Sequence, residues 1–496
     1  MQTLSPIILL GVVAGYLLLL ILVSFLTTRK DTGNQNFFNA GRNSPWYLVA
    51  FGMIGASLSG VTFISIPGVV GGSGVNQAFS YMQIVFGYLL GYAVIALVLL
   101  PLYYRLNLTS IYTYLENRFG WQAYKTGALY FQLSRSTGSA LRLFLVATIL
   151  HQFVFAPYEI SFPLSVFLTI FLIWVYTFRG GIKTIVVTDT LQTFFMLGAV
   201  FLTILLIMQS LNLGVGELAQ TVQKSGYGKV FFFEGGWSDP NNFFKQFLGG
   251  SLITLTMTGL DQDMMQKNLT CRTLPDAQKN MFVFSGILIL ANLLFLTMGA
   301  LLYIYAAELG ISLPEKTDQV YPFLAINHLS PIVGILFILG LIAAAYSSAD
   351  SALTAMTTSF CIDFLNFEKW DAPEERKKLV RRWVHVGYSL LMCLLIILFN
   401  AIARDGIINE LFKWAGYTYG PLLGLFAFGI LTRMRVKGQW IIPICLLSPV
   451  VSWLLDTYSK DLFQGFTFGF LIMAVNGTLT FLGLLLASER DYRVVG

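Results

Sequence analysis

Three segments of the chain carry oxygen-bearing side chains at spacings suited to a small hard cation. The first is Ala344, Ala345, Tyr346, Ser347, Ser348, Ala349, Asp350 and Ser351, followed by Thr354, Thr357 and Thr358. Positions 344, 347, 348 and 351 share one helical face, so they form a stripe of small oxygen donors. A cation such as sodium, like calcium and magnesium, prefers hydroxyls, carbonyls and carboxylates to sulfur or imidazole. A seam for close helix packing would use the same residue types. The second segment is Thr188, Asp189 and Gln192. Asp189 either reaches a nearby aqueous surface or supplies the negative charge that the serine stripe lacks, and Asp350 would add another. Two carboxylates close together in low dielectric repel, so such a pair requires two cations, one shared proton or an arginine partner. The third segment, Gly52, Gly55, Ala56, Ser57, Leu58, Ser59 and Gly60 with Thr62, Ser65 and Pro67 beyond, mixes glycines and hydroxyls where a helix would be expected to unwind.

The elements that position these residues follow from composition. The 496 residues are 56% hydrophobic and only 11% charged, with a mean hydropathy of +0.70, whereas a soluble domain carries about 25% charged residues. This is the composition of an all-α polytopic membrane protein. Apolar runs fill the chain from Pro6 to Leu486, so one transmembrane domain over 1–496 is expected and a soluble catalytic domain is excluded. The net charge of +6 reflects candidate orienting residues in loops and not a nucleic-acid surface. Four scattered cysteines and three scattered histidines have neither disulfide-framework nor zinc spacing. No HExxH, Ser/His/Asp or phosphate-cradling motif marks an enzyme.

Stretches of roughly 20 apolar residues predict about thirteen helices, α1 (6–28), α2 (45–71), α3 (76–104), α4 (122–153), α5 (158–178), α6 (184–210), α7 (244–266), α8 (280–308), α9 (326–364), α10 (382–402), α11 (408–431), α12 (438–456) and α13 (463–487). No basic segment precedes α1, which predicts a retained helix and not a cleaved signal. Alternate loops hold 22 of the 31 Lys and Arg residues, among them Arg29, Lys30, Arg179, Lys267, Arg490 and Arg493, against seven on the opposite side, including Arg404. Basic residues collect on the cytoplasmic side. The amino terminus is therefore expected outside and the carboxyl terminus inside a plasma (inner) membrane. Residues 211–243 read as an ordered outer cap, and 366–382 as a solvated short helix.

The glycine and hydroxyl mixture of α2 recurs in α7 as Gly249, Gly250, Ser251, Thr254, Thr256, Thr258 and Gly259. Small-residue packing is one reading. Two interrupted helices five spans apart are also what an inverted repeat of five plus five helices produces, with solute between the breaks. The first repeat would be 45–210 and the second 244–431, leaving 6–28 and 438–487 peripheral.

From Gly41 to about Leu431 the residues resemble the sodium/solute symporter family. The likeness rests on Gly41, Arg42, Pro45 and Trp46 leading into Ser57, Leu58 and Ser59; on Gly180, Gly181, Ile182 and Lys183 followed by Thr188, Asp189 and Gln192; on Gln262, Gln266 and Lys267; and on Ser347 with Ser348. The resemblance implies a leucine-transporter-like core and a sodium site made by the carbonyls of Gly55, Leu58 and Ala344 and the hydroxyls of Ser347 and Ser348. Similarity to sialic acid transporters implies a second sodium site at Asp189, Ser347, Asp350 and Ser351, with Asp350 standing where the family has serine. It also implies solute contacts from Ser57, Ser59, Thr62 and Gln83, and an α4 arginine that clasps a carboxylate with its bidentate fork. The aligned position falls near Gly138, with Arg135 and Arg142 on one face beside it. Arg142 lies roughly 25 Å of helix beyond Lys125, and either arginine could bind an anion or neutralise Asp189 or Asp350.

The function implied is sodium-coupled symport of a small polar solute, a sugar, a sialic acid-like sugar acid or another organic anion, by a protein working as a monomer in the bilayer. The alternative is a transporter-like sensor working with a separate signalling partner.

Overall fold

A backbone surrounded by hydrocarbon finds no water to bond to, and a helix satisfies its own N–H and C=O groups there. The computed structural model describes residues 5–28, 37–38, 40–177, 181–402 and 407–489, and each expected apolar stretch is helical in it. The observed helices are α1 Pro6–Thr28, α2a Trp46–Ser57, α2b Gly60–Val69, α3 Tyr81–Arg105, α4 Trp121–Tyr158, α5 Phe162–Thr177 and α6 Gly181–Ser210. They continue with α7a Phe243–Thr254, extended by a π turn at Leu255–Gly259, and α7b Gln262–Asn268. The rest are α8 Leu274–Glu308, α9 Pro331–Phe364, α10 Glu374–Ile402, α11 Ile407–Leu431, α12 Gly438–Thr457 and α13 Ile472–Leu486. Among the described residues nine helices are long and apolar enough to cross a membrane, or up to ten when the bent α2 pair is one span.

Several boundaries move for local reasons. The α4 helix runs on to Tyr158 through a π turn at His151–Phe155 and stops at Glu159, whose φ of 57° is left-handed. Pro331 stands in the first turn of α9, where its missing N–H is harmless, and Val320–Asn327 forms a separate helix before it. The expected solvated helix within 366–382 is corrected: from Glu374 onward those residues are the first turns of α10. Residues 211–243 include the helix Val215–Lys224, and the Phe79 N–H donates to the Lys229 carbonyl, joining this segment to the start of α3. Arg29, Lys30, Arg179, Gly180, Arg404, Arg490 and Arg493 lie outside the described residues.

The α6 helix packs along both α9 and α2a, α3 packs along α7a, and α11 packs between α4 and α13. Leu18, Phe194, Leu290 and Leu394 are exposed on the outside, while Asp189, Asp263, Lys267, Ser347 and Asp350 are fully buried. The polar residues converge where α2 and α7 are interrupted. After α11 the chain forms strand β1 (Arg435–Val436), which pairs antiparallel with β2 (Ser488–Glu489).

Candidate functional site

The two halves of α2 meet at 59°. The helical ladder ends where the Leu58 N–H donates to Ile54 and resumes where Phe63 donates to Ser59. Leu58 and Ser59 between them are non-helical, with ψ of 83° and 175°. Among the described residues no hydrogen bond reaches the carbonyls of residues 55–58. Buried carbonyls left in this condition call for a partner.

Helix α9 lies against this break. A β-carbon at Gly55 would fall 2.8 Å from the Ser347 hydroxyl, so glycine is what allows the two helices to approach there. Ser347 donates to Asp189 Oδ1 at 2.6 Å, which spends its proton and leaves its oxygen lone pairs for a cation. The Ser348 hydroxyl is buried without a partner. Ala344 is one turn before Ser348 on the same helix. Of the residues expected to hold the first sodium ion, Gly55 approaches Ser347, and the Ser348 hydroxyl is an oxygen donor that the fold leaves without a partner, which fits a cation ligand.

The α7 break has opposite character. Tyr103 and Tyr112 donate to the freed carbonyls of Gly259 and Leu260 at 2.9 and 3.0 Å. Asp261 caps α7b through the N–H groups of Asp263 and Met264. Its other oxygen lies 3.9 Å from Arg135 and accepts from Tyr419. Asp263 pairs with Arg135 and accepts from Ser351. The carbonyls of Gly259 and Leu260 and the carboxylates of Asp261 and Asp263 at this break are thus each met by another side chain of the protein.

A small, partly open cavity of about 80 Å³ lies between the two breaks. Ser57, Ser59 and Thr62 line it, as do Arg135 and Arg142. Arg142 forms no ion pair or hydrogen bond among the described residues, and its Nε is buried without an acceptor. Arg135 also borders the cavity, but its charge is matched by Asp261 and Asp263. Tyr81 and Tyr88, whose hydroxyls are 3.0 Å apart, add polar lining with Tyr92, Thr258 and Asn292. Thr258 belongs to the hydroxyl mixture noted in α7, whereas the tyrosines and Asn292 went unmarked, since single tyrosines in an apolar helix carry no local signal.

Four expectations need correction. Gln83 does not line the cavity: it donates to the Asn241 carbonyl at 2.8 Å and to Gln246 at 2.9 Å, and accepts from the Phe232 N–H at 3.1 Å. It is a clamp between α3, α7a and the segment before α7a. The second sodium set is not assembled as one site. Asp189 is paired with Lys267 at 2.6 Å, Ser351 turns to Asp263, and Asp350 accepts from Tyr176 of α5 at 2.9 Å. Neither α4 arginine neutralises Asp189 or Asp350, because Arg135 pairs with Asp261 and Asp263, which the sequence reading did not single out, and Arg142 has no ion-pair partner among the described residues. Lys267, counted among the orienting basic residues, is fully buried instead.

Comparison with known proteins agrees with this architecture. The model of the sodium:solute symporter family matches residues 37–440, and the chain belongs to that family. It is 26% identical over 478 residues to the sodium/sialic acid symporter of Aliivibrio fischeri, covering 94% of this chain and 91% of that relative. Identity to the sodium/sialic acid symporter of Proteus mirabilis is 23% over 483 residues, covering 95% and 94%. A solved structure of a Na⁺-coupled sialic acid symporter, substrate-bound and outward-open, matches with a TM-score of 0.82 at 21% identity, over 97% of this chain and 99% of that one. At that identity the likeness speaks for fold, which is leucine-transporter-like. The chain is a multi-pass membrane transporter, not an enzyme, and couples sodium to the movement of a small solute.

Proposed function

We propose that the solute is a small organic anion, with sugar acids of the sialic acid type the favoured class, held by Arg142 in the cavity between the breaks. The single observation that carries this reading is Arg142 itself, an unpaired guanidinium facing the cavity from a buried helix. An intramembrane charge without a counter-ion is costly, and a carboxylate ligand removes that cost while matching the planar fork. The hydroxyls of Ser57, Ser59 and Thr62 then meet the polar body of the solute. The names of the sialic acid relatives support the same class.

Sodium is bound by the carbonyls of Gly55, Leu58 and Ala344 and the hydroxyls of Ser347 and Ser348. The α2 break serves both ligands, because the carbonyl end of α2a favours the cation and the N–H end of α2b favours the anion. Sodium and solute thereby stabilise the same broken conformation, which is the thermodynamic basis of coupling. We further infer thirteen membrane spans in a single domain, α2–α6 and α7–α11 related by inversion, and α1, α12 and α13 peripheral. The amino terminus lies outside, the carboxyl terminus lies in the cytoplasm, and the transporter works as a monomer in the plasma (inner) membrane.

A thermal-shift screen of the purified protein against sugars, sugar acids and other organic anions, with sodium present, identifies the solute. Arg142→Lys keeps the charge and loses the fork, so solute affinity falls by about tenfold or more, roughly 1.4 kcal/mol, with sodium affinity nearly constant. A stabilising solute without charge, or joint collapse of solute and sodium binding, would make Arg142 a structural counter-ion.

A further inference from the structure

Asp189 is a buried carboxylate bonded to Ser347, one of the residues assigned above to sodium. Its charge must be balanced where it stands. Three side chains donate hydrogen bonds to it. Lys267 of α7b reaches Oδ2 at 2.6 Å. Ser347 of α9 donates to Oδ1 at 2.6 Å. The Gln192 side-chain nitrogen, with its amide oriented to satisfy the groups around it, reaches Oδ1 at 3.1 Å. Both oxygens of the carboxylate are therefore occupied by donors, one of them a full positive charge with no exposure to water.

We infer that the Lys267 ammonium acts as a tethered cation at Asp189, taking the place of a second sodium ion, so that this transporter binds one sodium per cycle. A sodium ion approaching Asp189 would have to share the carboxylate with an ammonium that cannot leave into solvent, and like charges at such range in low dielectric exclude one another. The ammonium supplies the charge without being transported. Because it belongs to α7b while Asp189 and Ser347 belong to α6 and α9, it also joins three helices beside the sodium ligands. The same contact leaves the Ser347 lone pairs facing the α2 break and not Asp189. Asp350 shares no hydrogen-bond donor with Asp189: one of its oxygens accepts from Tyr176 on α5, and the other is buried without a partner, so its part in the count is tested separately below.

Lys267 in this role presupposes the single sodium site proposed above, and binding of ²²Na⁺ to the purified protein without solute separates the two ideas. Wild type binds one ion per protein with a Hill coefficient of one. Lys267→Ala exposes the Asp189 carboxylate to sodium, so it binds two ions, and its melting temperature rises more steeply with sodium chloride than wild type but not with potassium chloride. The neutral pair Asp189→Asn with Lys267→Gln, which leaves no stranded charge should the single variant fold poorly, returns to one ion. Ser348→Ala weakens the wild-type ion and spares the additional ion of Lys267→Ala; an ion unaffected by Ser348→Ala would refute the location of the first site and not the role of Lys267. Two ions bound to wild type, including a second one removed by Asp350→Asn, would overturn the inference. So would Lys267→Ala with one ion and no added sodium-specific stabilisation.

Discussion

The breaks in α2 and α7 lie five helices apart, yet one is left open and the other is largely sealed by side chains. At α7 the freed carbonyls are met by Tyr103 and Tyr112 and the aspartates by Arg135, Tyr419 and Ser351. At α2 the carbonyls of residues 55–58 and the Ser348 hydroxyl have no protein partner among the described residues. Irregular backbone inside a membrane protein persists only where its polar groups are satisfied. The sealed break takes its partners from the fold, and in the proposed function the open one takes them from sodium and solute. The arginines of α4 repeat the contrast, for Arg135 is spent on the α7 aspartates while Arg142, seven residues along the same face, is left for the cavity.

The contrast is broken most severely at its sealed side. Arg135→Met strands Asp261 and Asp263 in a dry interior, which costs about 3–5 kcal/mol. Thermal denaturation should show the largest loss of any single change here, relieved in part by adding Asp263→Asn. A stable Arg135→Met protein with only altered solute affinity would reverse the roles of the two arginines. Next, Gly55→Ala pushes a methyl toward the Thr193 and Ser347 hydroxyls and costs about 1–3 kcal/mol by overpacking. Its clearest effect is a higher sodium concentration for half-maximal uptake, and unchanged sodium dependence would place the ion away from this contact. Ser348→Ala removes one oxygen and should raise that concentration by about fivefold, near 1 kcal/mol, with thermal stability in sodium-free buffer unaltered. Tyr103→Phe leaves the Gly259 carbonyl unsatisfied, and about 1 kcal/mol of stability is lost without change in sodium affinity. The smallest effect is a null one. One sodium moving with a monovalent anion carries no net charge, so an imposed potential of 100 mV, worth about 2.3 kcal/mol per charge, should leave uptake unchanged, whereas two sodium ions would make uptake respond.

Much of this was legible in the sequence for a plain physical reason. Helices in hydrocarbon must be long and apolar, and glycine with serine marks where they unwind, so α2 and the α9 serine stripe stand out without coordinates. Partners are another matter. Asp261 and Asp263 follow Gly259 within an apolar stretch, a signal that could have been read, but nothing local says that Arg135, well over a hundred residues away, meets them. Lys267 sits near a basic loop and has the sequence context of an orienting lysine, although its stem carries the ammonium inward to Asp189. Gln83 has the residue type of a sugar ligand, and only the approach of Asn241, Gln246 and Phe232 shows that its amide is already used. Residue type reveals what a group can do, and the fold decides with whom.

Hydrogen exchange of the purified protein, measured in sodium and in potassium, tests most directly that the α2 break is the one completed by a ligand. Sodium should slow exchange in peptides covering residues 55–63 and leave those covering residues 255–264 unchanged, because the second break is already closed by its own side chains. Equal protection of both breaks, or protection confined to α7, would contradict the account.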